Sequence, residues 1–350
     1  LHIEAHSFPT RRSSDLRHIL GTDFVYASSY VRSQEGKLLS SEQLRSMTES
    51  RNIDDICKVL QDAGYGSEGN ALTAANYQEV LKNAEASFFD EVKELSKDSK
   101  ALNIFFYPAD YHNLKVLIKA ESLGVDRDEL LMESGTISAS EMAKSVKERS
   151  TMNLTENMAS ALAEAVDVHA RTNDPQMIDF VCDKYCFADI IEAAEASKNS
   201  FVKGYVSLWI DTVNLKTFAR VKKMGQPWNY FENVFIPGGT VDLQVFLGSY
   251  EDDFKQATEK FQAYNIAKAV SEGGEQIDNS GDFTLLEKIC DNLLVEYSRE
   301  AKTVTFGLEP LVSYLVARQN EVKAIRIVLA GKLAKMSPEL IRERLRETYE

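Results

Sequence analysis

Cys182 and Cys186 stand four residues apart, the spacing that puts two thiols on one helix face and from which a metal or redox site could be built. No second pair lies near them at zinc-site spacing, and Cys57 and Cys290 are scattered. The four cysteines therefore read as buried, idle thiols and not as a disulfide framework. Gly331-Lys332 invites comparison with a phosphate-cradling loop, but Arg326 occupies the place where the first glycine is needed. Neither Ser nor Thr follows the lysine. Gly238-Gly239 lacks the strand and the spacing of a dinucleotide fingerprint. A dinuclear metal site in a helical bundle needs Glu-x-x-His pairs, yet Ala109 and Val166 stand three residues before His112 and His169. Asp167 and His169 fall on different faces of a helix and read as solvated or capping groups. No catalytic residue, cofactor, metal ligand or small-molecule substrate is expected.

The chemistry that recurs is polar but not reactive. Asp110-Tyr-His-Asn113-Leu114-Lys115, with Lys119 one turn on, is repeated as Asp211-Thr-Val-Asn214-Leu215-Lys216, with Arg220 one turn on. The offset is 101 residues (110 to 211). A weaker third copy is Glu321-Val322-Lys323 with Arg326, offset by 107 residues (216 to 323). Like charges three or four residues apart cost a helix roughly 0.2–0.5 kcal/mol per pair. The same small penalty at related places calls for a partner. Either Asp110, Asp211 and nearby glutamates of the same fold neutralise the cations, or they form a basic surface offered to an acidic partner. Asp110 alone is explained as an N-cap after Pro108, whereas Asp211 falls inside a helical pattern. Asn113 and Asn214 are expected to be buried and hydrogen-bonded between neighbouring helices, fixing how they cross.

The elements that carry these residues read as helix nearly throughout, so the fold class is all-α. Amphipathic stretches run over roughly 52–61, 74–97, 110–123, 154–170, 176–225, 251–270 and 283–301, with a break near Ser197 to Ser200. A long helix starts after Glu309-Pro310, and Gly331 is a plausible stop for it. Ser337-Pro338-Glu339 opens the next helix. Residues 64–70, 271–274 and 278–282 read as loops. Each copy of the repeated motif is followed by a turn and a new helix start: Ser134 to Ser138, Gly238 to Asp242, Lys335 to Glu339. Lys37-Leu38-Leu39-Ser40-Ser41-Glu42 has the same look. A period of about a hundred residues exceeds the tetratricopeptide and HEAT lengths and fits three related helical units better. The expected division is 17–125, 126–230 and 231–350.

Residues 1–16 look unlike the rest. They lack periodicity and a signal-peptide apolar core, and read as a non-native leader. The chain has 350 residues, 44% apolar, enough for a large core, and a formal charge of −14 that disfavours nucleic acid and anionic lipid as partners. No apolar run approaches the roughly 18 residues of a membrane span.

Over nearly its whole length the sequence resembles the C-type subunits of archaeal and bacterial V/A-type ATPases (ATP synthases), the counterparts of the d-type subunit in eukaryotic V-ATPase. The resemblance rests on Phe24-Val-Tyr-Ala-Ser-Ser-Tyr-Val-Arg32 with Lys37-Leu-Leu-Ser40, and on Tyr107-Pro-Ala-Asp-Tyr-His-Asn-Leu-Lys115. It continues through Val213-Asn-Leu-Lys216, Phe235-Ile-Pro-Gly-Gly239, Phe306-Gly-Leu-Glu-Pro310, Tyr314, Asn320-Glu-Val-Lys323, Ile341-Arg-Glu-Arg-Leu345 and Tyr349. The family often has Asn where Ser28 or Ser29 stands. What the resemblance implies is a funnel of three helical domains related by a pseudo-threefold, with the N- and C-terminal segments packed together. It implies a non-catalytic rotor protein that joins central-shaft subunits of the D and F type to the proteolipid ring and passes torque between them. Such a protein is cytoplasmic and peripheral to the membrane through its complex. The competing reading is an all-helical adaptor without a rotary role.

Overall fold

A computed structural model describes residues 24–66, 71–96 and 99–350. The leader expected over 1–16, and residues 67–70 of the loop expected over 64–70, lie outside the described residues. The described residues are mostly helical and contain no strand.

In chain order the helices are α1 (Val25–Glu35), α2 (Ser41–Glu49), α3 (Ile53–Asp62), α4 (Tyr77–Leu95) and α5 (Asn103–Leu123). There follow α6 (Ala139–Glu148), α7 (Glu156–Thr172), α8 (Pro175–Ala196) and α9 (Ser200–Lys223). The last group is α10 (Trp228–Val234), α11 (Leu243–Gly248), α12 (Phe254–Phe261), α13 (Gly274–Ser280), α14 (Thr284–Arg299), α15 (Leu308–Leu333) and α16 (Pro338–Arg344). Local chemistry sets many of the starts. Ser40, Ser138 and Asp242 cap α2, α6 and α11 by accepting from the backbone N–H of Gln43, Glu141 and Gln244. Pro175 and Pro338 sit in the first turns of α8 and α16, where a missing N–H costs nothing.

Several boundaries differ from the sequence reading; α13 runs to Ser280, into the loop expected over 278–282, and the helix expected over 251–270 is broken after Phe261. α5 begins at Asn103, seven residues before Asp110, with Pro108 inside it, so Asp110 is mid-helix and not an N-cap. Residues 269–273 form a π-helical turn that runs into α13, where the Gly273-Gly274 pair suggested a loop. Those glycines are there for packing: a Cβ on Gly273 would lie 2.6 Å from the Leu286 Cα, and one on Gly274 2.4 Å from Phe254 Cβ. Gly331 likewise does not end α15. It is buried within it and makes room for Ile341 of α16, whose Cγ1 would be 2.7 Å from an added Cβ.

Two apolar clusters form the core. One runs from Ala27 through α4, α5, α8 and α15 to Ile341. The other joins the C-terminal half of α9 to α11, α12 and α14 around Phe218, Phe231, Phe246 and Phe261, whose rings meet at centroid separations of 5.2–5.4 Å. The three helices that carry the motif, α5, α9 and α15, are buried on most sides, which is why they show no apolar stripe of their own. Each packs against the helix that precedes another long helix: α5 on α8, α9 on α14, α15 on α4.

Candidate functional site

The repeated motif builds junctions. On α5 the Asp110 carboxylate is fully buried and accepts from the backbone N–H and hydroxyl of Thr136, at 3.0 and 2.6 Å, and from the N–H of Ile137 at 3.1 Å. One turn on, the Asn113 amide donates to the carbonyl of Met132 at 2.7 Å and accepts from its N–H at 2.8 Å. On α9 the set is repeated. Asp211 accepts from Thr240 N–H and hydroxyl and from Val241 N–H at 3.0 Å, and Asn214 exchanges both bonds with Ile236 at 2.7 and 3.0 Å. These asparagines are buried as expected, but they grip the backbone of the following loop and not a neighbouring helix. Each helix thus fixes the loop that ends at the cap of α6 or α11. Gly135 and Gly239 precede the two threonines because the carboxylate leaves no room: a Cβ on either would lie 2.1 Å from the Oδ1 of Asp110 or Asp211. Burial pushes the Asp110 carboxyl above the usual range, against the pull of its three hydrogen bonds from Thr136 and Ile137.

On α15 the third copy falls in a different register from the sequence reading. Glu321 occupies the place of Asp110 and Asp211, at an offset of 110 residues (211 to 321) and not 107. Its Oε2 accepts from the N–H of Leu39, which precedes the Ser40 cap as Ile137 precedes Ser138 and Val241 precedes Asp242. Leu38 has no hydroxyl to offer where Thr136 and Thr240 do, and the Tyr65 hydroxyl supplies that donor at 2.7 Å, with Arg318 at 3.3 Å. Glutamate has one more methylene than aspartate, so the approach is longer and Lys37 stands where Gly135 and Gly239 are required. A second contact confirms the register. Lys222 of α9 donates to the carbonyls of Tyr250 and Asp252 beyond the end of α11, and Lys332 of α15, again 110 residues on, donates to those of Thr48 and Ser50 at the end of α2. Burial lowers both ammonium pKa values. At the first junction the charges are exchanged: Glu121 of α5 pairs with Arg149, which donates to Val146.

The basic residues of the motif are paired within the fold. Lys115 and Lys119 meet Asp183 and Asp179 of α8. Lys216 and Arg220 meet Asp291 and Glu287 of α14, at 3.8 and 2.7 Å. Arg326 meets Glu85 of α4 at 2.9 Å, and Lys323 reaches Asp291 at 3.7 Å. The neutralising carboxylates therefore belong to the helix packed alongside, whereas Asp110 and Asp211 are engaged with loops. Sequence reasoning missed Asp291. It lies between Lys216, Lys323 and Arg346, and although burial would raise its pKa, those cations outweigh burial and hold it below the usual range. No local pattern marks it, because its partners come from three separate segments.

The groups weighed for catalysis are dispersed. All four cysteines are free and buried, and burial raises the pKa of the Cys182 and Cys290 thiols to about 12. His112 contacts the Leu130 carbonyl, and Asp167 pairs with Arg171. No group of His, Cys, Asp and Glu side chains among the described residues is arranged to hold a metal ion. No helix among them is long and apolar enough to cross a membrane.

A family model for the ATP synthase (C/AC39) subunit matches residues 27–344, which contain all three junctions. The chain belongs to that family. It is 23% identical to the C subunit of the V-type sodium ATPase of Enterococcus hirae, over 91% of this chain and 97% of that protein. It is 22% identical to the C subunit of the A-type ATP synthase of Methanocaldococcus jannaschii, over 92% and 86%. To that of a Desulfurococcus species it is 23% identical, over 92% and 90%. In this family member the repeated residues are joints between helices and loops.

Proposed function

We propose that the protein is the non-catalytic C subunit of a V/A-type rotary ATPase, joining central-shaft subunits of the D and F type to the proteolipid ring and transmitting torque between them. The observation that carries the reading is the family match over nearly the whole chain, with relatives named as the C subunits of a V-type sodium ATPase and of A-type ATP synthases. Physical considerations support it. Torque transmission asks for stiffness, and three long helices, each locked to a loop by a buried carboxylate and clamped to a neighbour by paired charges, supply it. We read the three junctions as the joints of three related helical units, about 17–125, 126–230 and 231–350, disposed as a funnel about a pseudo-threefold axis. The motif residues then serve as structural joints of that assembly, since their cations already have carboxylate partners.

An interface with other subunits also needs exposed apolar surface. Leu123, Met224 and Leu333 are exposed at the C-terminal ends of α5, α9 and α15, and Trp228 and Leu340 are exposed in the short helices after α9 and α15. We assign these exposed residues to contact with the proteolipid ring. The protein would then be peripheral to the membrane, on its cytoplasmic face, through the complex.

The test is to mix the full chain with purified central-shaft subunits and a detergent-solubilised proteolipid ring and follow co-migration by size exclusion. A complex with both, one copy per ring, is the expected result. A well-folded helical protein that binds neither would overturn the rotary reading and leave a helical adaptor.

A further inference from the structure

The junctions share their parts but differ in how the chain connects them. From α5 to the Ser138 cap the backbone runs directly through residues 124–137, and from α9 to the Asp242 cap through residues 224–241, which include α10. The α15 junction has no such link. α15 leads into α16 and the tail ending at Glu350, while Ser40 is reached from α1 at the other end of the chain.

Side chains replace the missing backbone. The Glu350 carboxylate accepts from the N–H and hydroxyl of Ser41, at 3.2 and 2.7 Å. It thereby does for the first residue of α2 what Glu133 does for Ala139, the first residue of α6, at 3.2 Å. The tail itself is clipped to α14 and α15. Arg346 meets Asp291 at 3.0 Å, the Glu347 N–H donates to Asn292 at 2.9 Å, Arg299 donates to the Thr348 carbonyl, and Ser313 donates to the Tyr349 hydroxyl at 2.6 Å. On the other side Ser28 of α1 both donates to and accepts from the Gly307 backbone at the start of α15, at 3.2 Å each.

We propose that the contact of α15 with residues 38–50, together with the 345–350 tail, is a latch that opens and recloses as one unit, while the two covalent junctions act as hinges. The reason is connectivity, which follows from contacts alone and is independent of any rotary role. A junction whose two sides are joined by the chain segment between them recloses at little entropic cost, because its partners stay close when its bonds break. The two sides of the α15 junction are connected only through the rest of the molecule, so opening there releases more conformational freedom. Its grip on the loop backbone is also weaker. Glu321 reaches one backbone N–H at 3.3 Å, where Asp110 and Asp211 each reach two at 3.0–3.1 Å. Local opening is expected where the free energy of closure is smallest.

Hydrogen exchange on the full chain tests this by comparing equivalent amides. Leu39 and α2 are expected to exchange at least tenfold faster than Ile137 with α6 and Val241 with α11, and the amides of 345–350 are expected to share that faster rate. Lys332→Met should then accelerate 39–50 and 345–350 together and leave 241–252 unchanged, whereas Lys222→Met should accelerate 241–252 alone. Equal protection at the three junctions in the unsubstituted chain would overturn the proposal. Independent responses of 39–50 and 345–350 to Lys332→Met would overturn their cooperation as one latch.

Discussion

The Lys332 ammonium donates to the carbonyl of Ser50 at 2.7 Å, across 282 residues of sequence, in the same way that Lys222 donates to the carbonyl of Asp252, thirty residues on. A local capping interaction and a contact between the two ends of the chain are thus the same interaction. Each lysine satisfies backbone carbonyls at or just beyond the end of a short helix. Hydrogen bonds to a charged group contribute about 1.5–3 kcal/mol when removed. Lys332→Met and Lys222→Met are each expected to lower the unfolding free energy by about 2 kcal/mol, read from urea midpoints at constant m-value. Equal and negligible losses would show that water replaces the ammonium at no cost.

Asp211 and Gly239 should be energetically coupled. A methyl on Gly239 meets the carboxylate at 2.1 Å, so Gly239→Ala must displace Asp211 from Thr240 and Val241, at about 1–3 kcal/mol. Asp211→Ala leaves the buried N–H of Val241 and the part-buried N–H and hydroxyl of Thr240 without their acceptor, about 1–3 kcal/mol. In the double variant the clash is gone, so the two losses should fall short of additive by about 1 kcal/mol or more in a double-mutant cycle. Additivity would mean that the glycine is required for some other reason.

Two buried carboxylates should give opposite pH dependences. The pKa of Glu321 is raised, burial outweighing Arg318, Tyr65 and Leu39, so its folded form binds a proton more readily than its unfolded form. Its contribution to stability is therefore complete below the unfolded glutamate pKa and declines as pH rises through the folded value. Asp291 is lowered by Lys323, Lys216 and Arg346 in spite of burial, so its contribution is complete above the unfolded aspartate pKa and is lost as pH falls through the folded one. Glu321→Gln should flatten the decline on the upper side of the glutamate range. Asp291→Asn should flatten the acid limb and cost about 3 kcal/mol at neutral pH by leaving its cations uncompensated. Stability profiles from pH 3 to 8 on the two variants check both signs.

Much of this architecture is written in local pattern. The long helices, the break between α8 and α9 and the caps at Ser40, Ser138 and Asp242 follow from periodicity and from side-chain oxygens placed before apolar runs. The recurrence of Asp110 with Asn113 in Asp211 with Asn214 was visible because residue types and spacing are both kept. The third register was not, because Glu321 substitutes for aspartate, Ala324 stands where an asparagine would be, and the gripped loop lies at the opposite end of the sequence. Pro108 and the Gly273-Gly274 pair misled for a different reason. Both are local breakers whose cost is set against tertiary packing, which no single segment reveals. Asp291 has no local signature at all: its three cations sit at 216, 323 and 346, and only the packing of α9, α14, α15 and the tail brings them together.

The exposed ends of the long helices give the sharpest check on the proposed docking. Met224 follows the last residue of α9 and Leu333 is the last residue of α15. Met224 is 60% and Leu333 43% exposed, and neither belongs to the buried core, so a charge at either place removes exposed apolar area with little disturbance of the core. Surface substitutions of this kind usually change folding stability by less than about 0.5 kcal/mol. Burying a large apolar side chain at an interface contributes about 1.5–3 kcal/mol. Met224→Glu and Leu333→Glu together should thus leave the thermal midpoint nearly unchanged and weaken association with the proteolipid ring by tenfold or more, while association with the shaft subunits persists. The measurement is a titration of detergent-solubilised ring against labelled protein. Loss of shaft binding with ring binding intact would reverse the assignment and give these residues to the shaft.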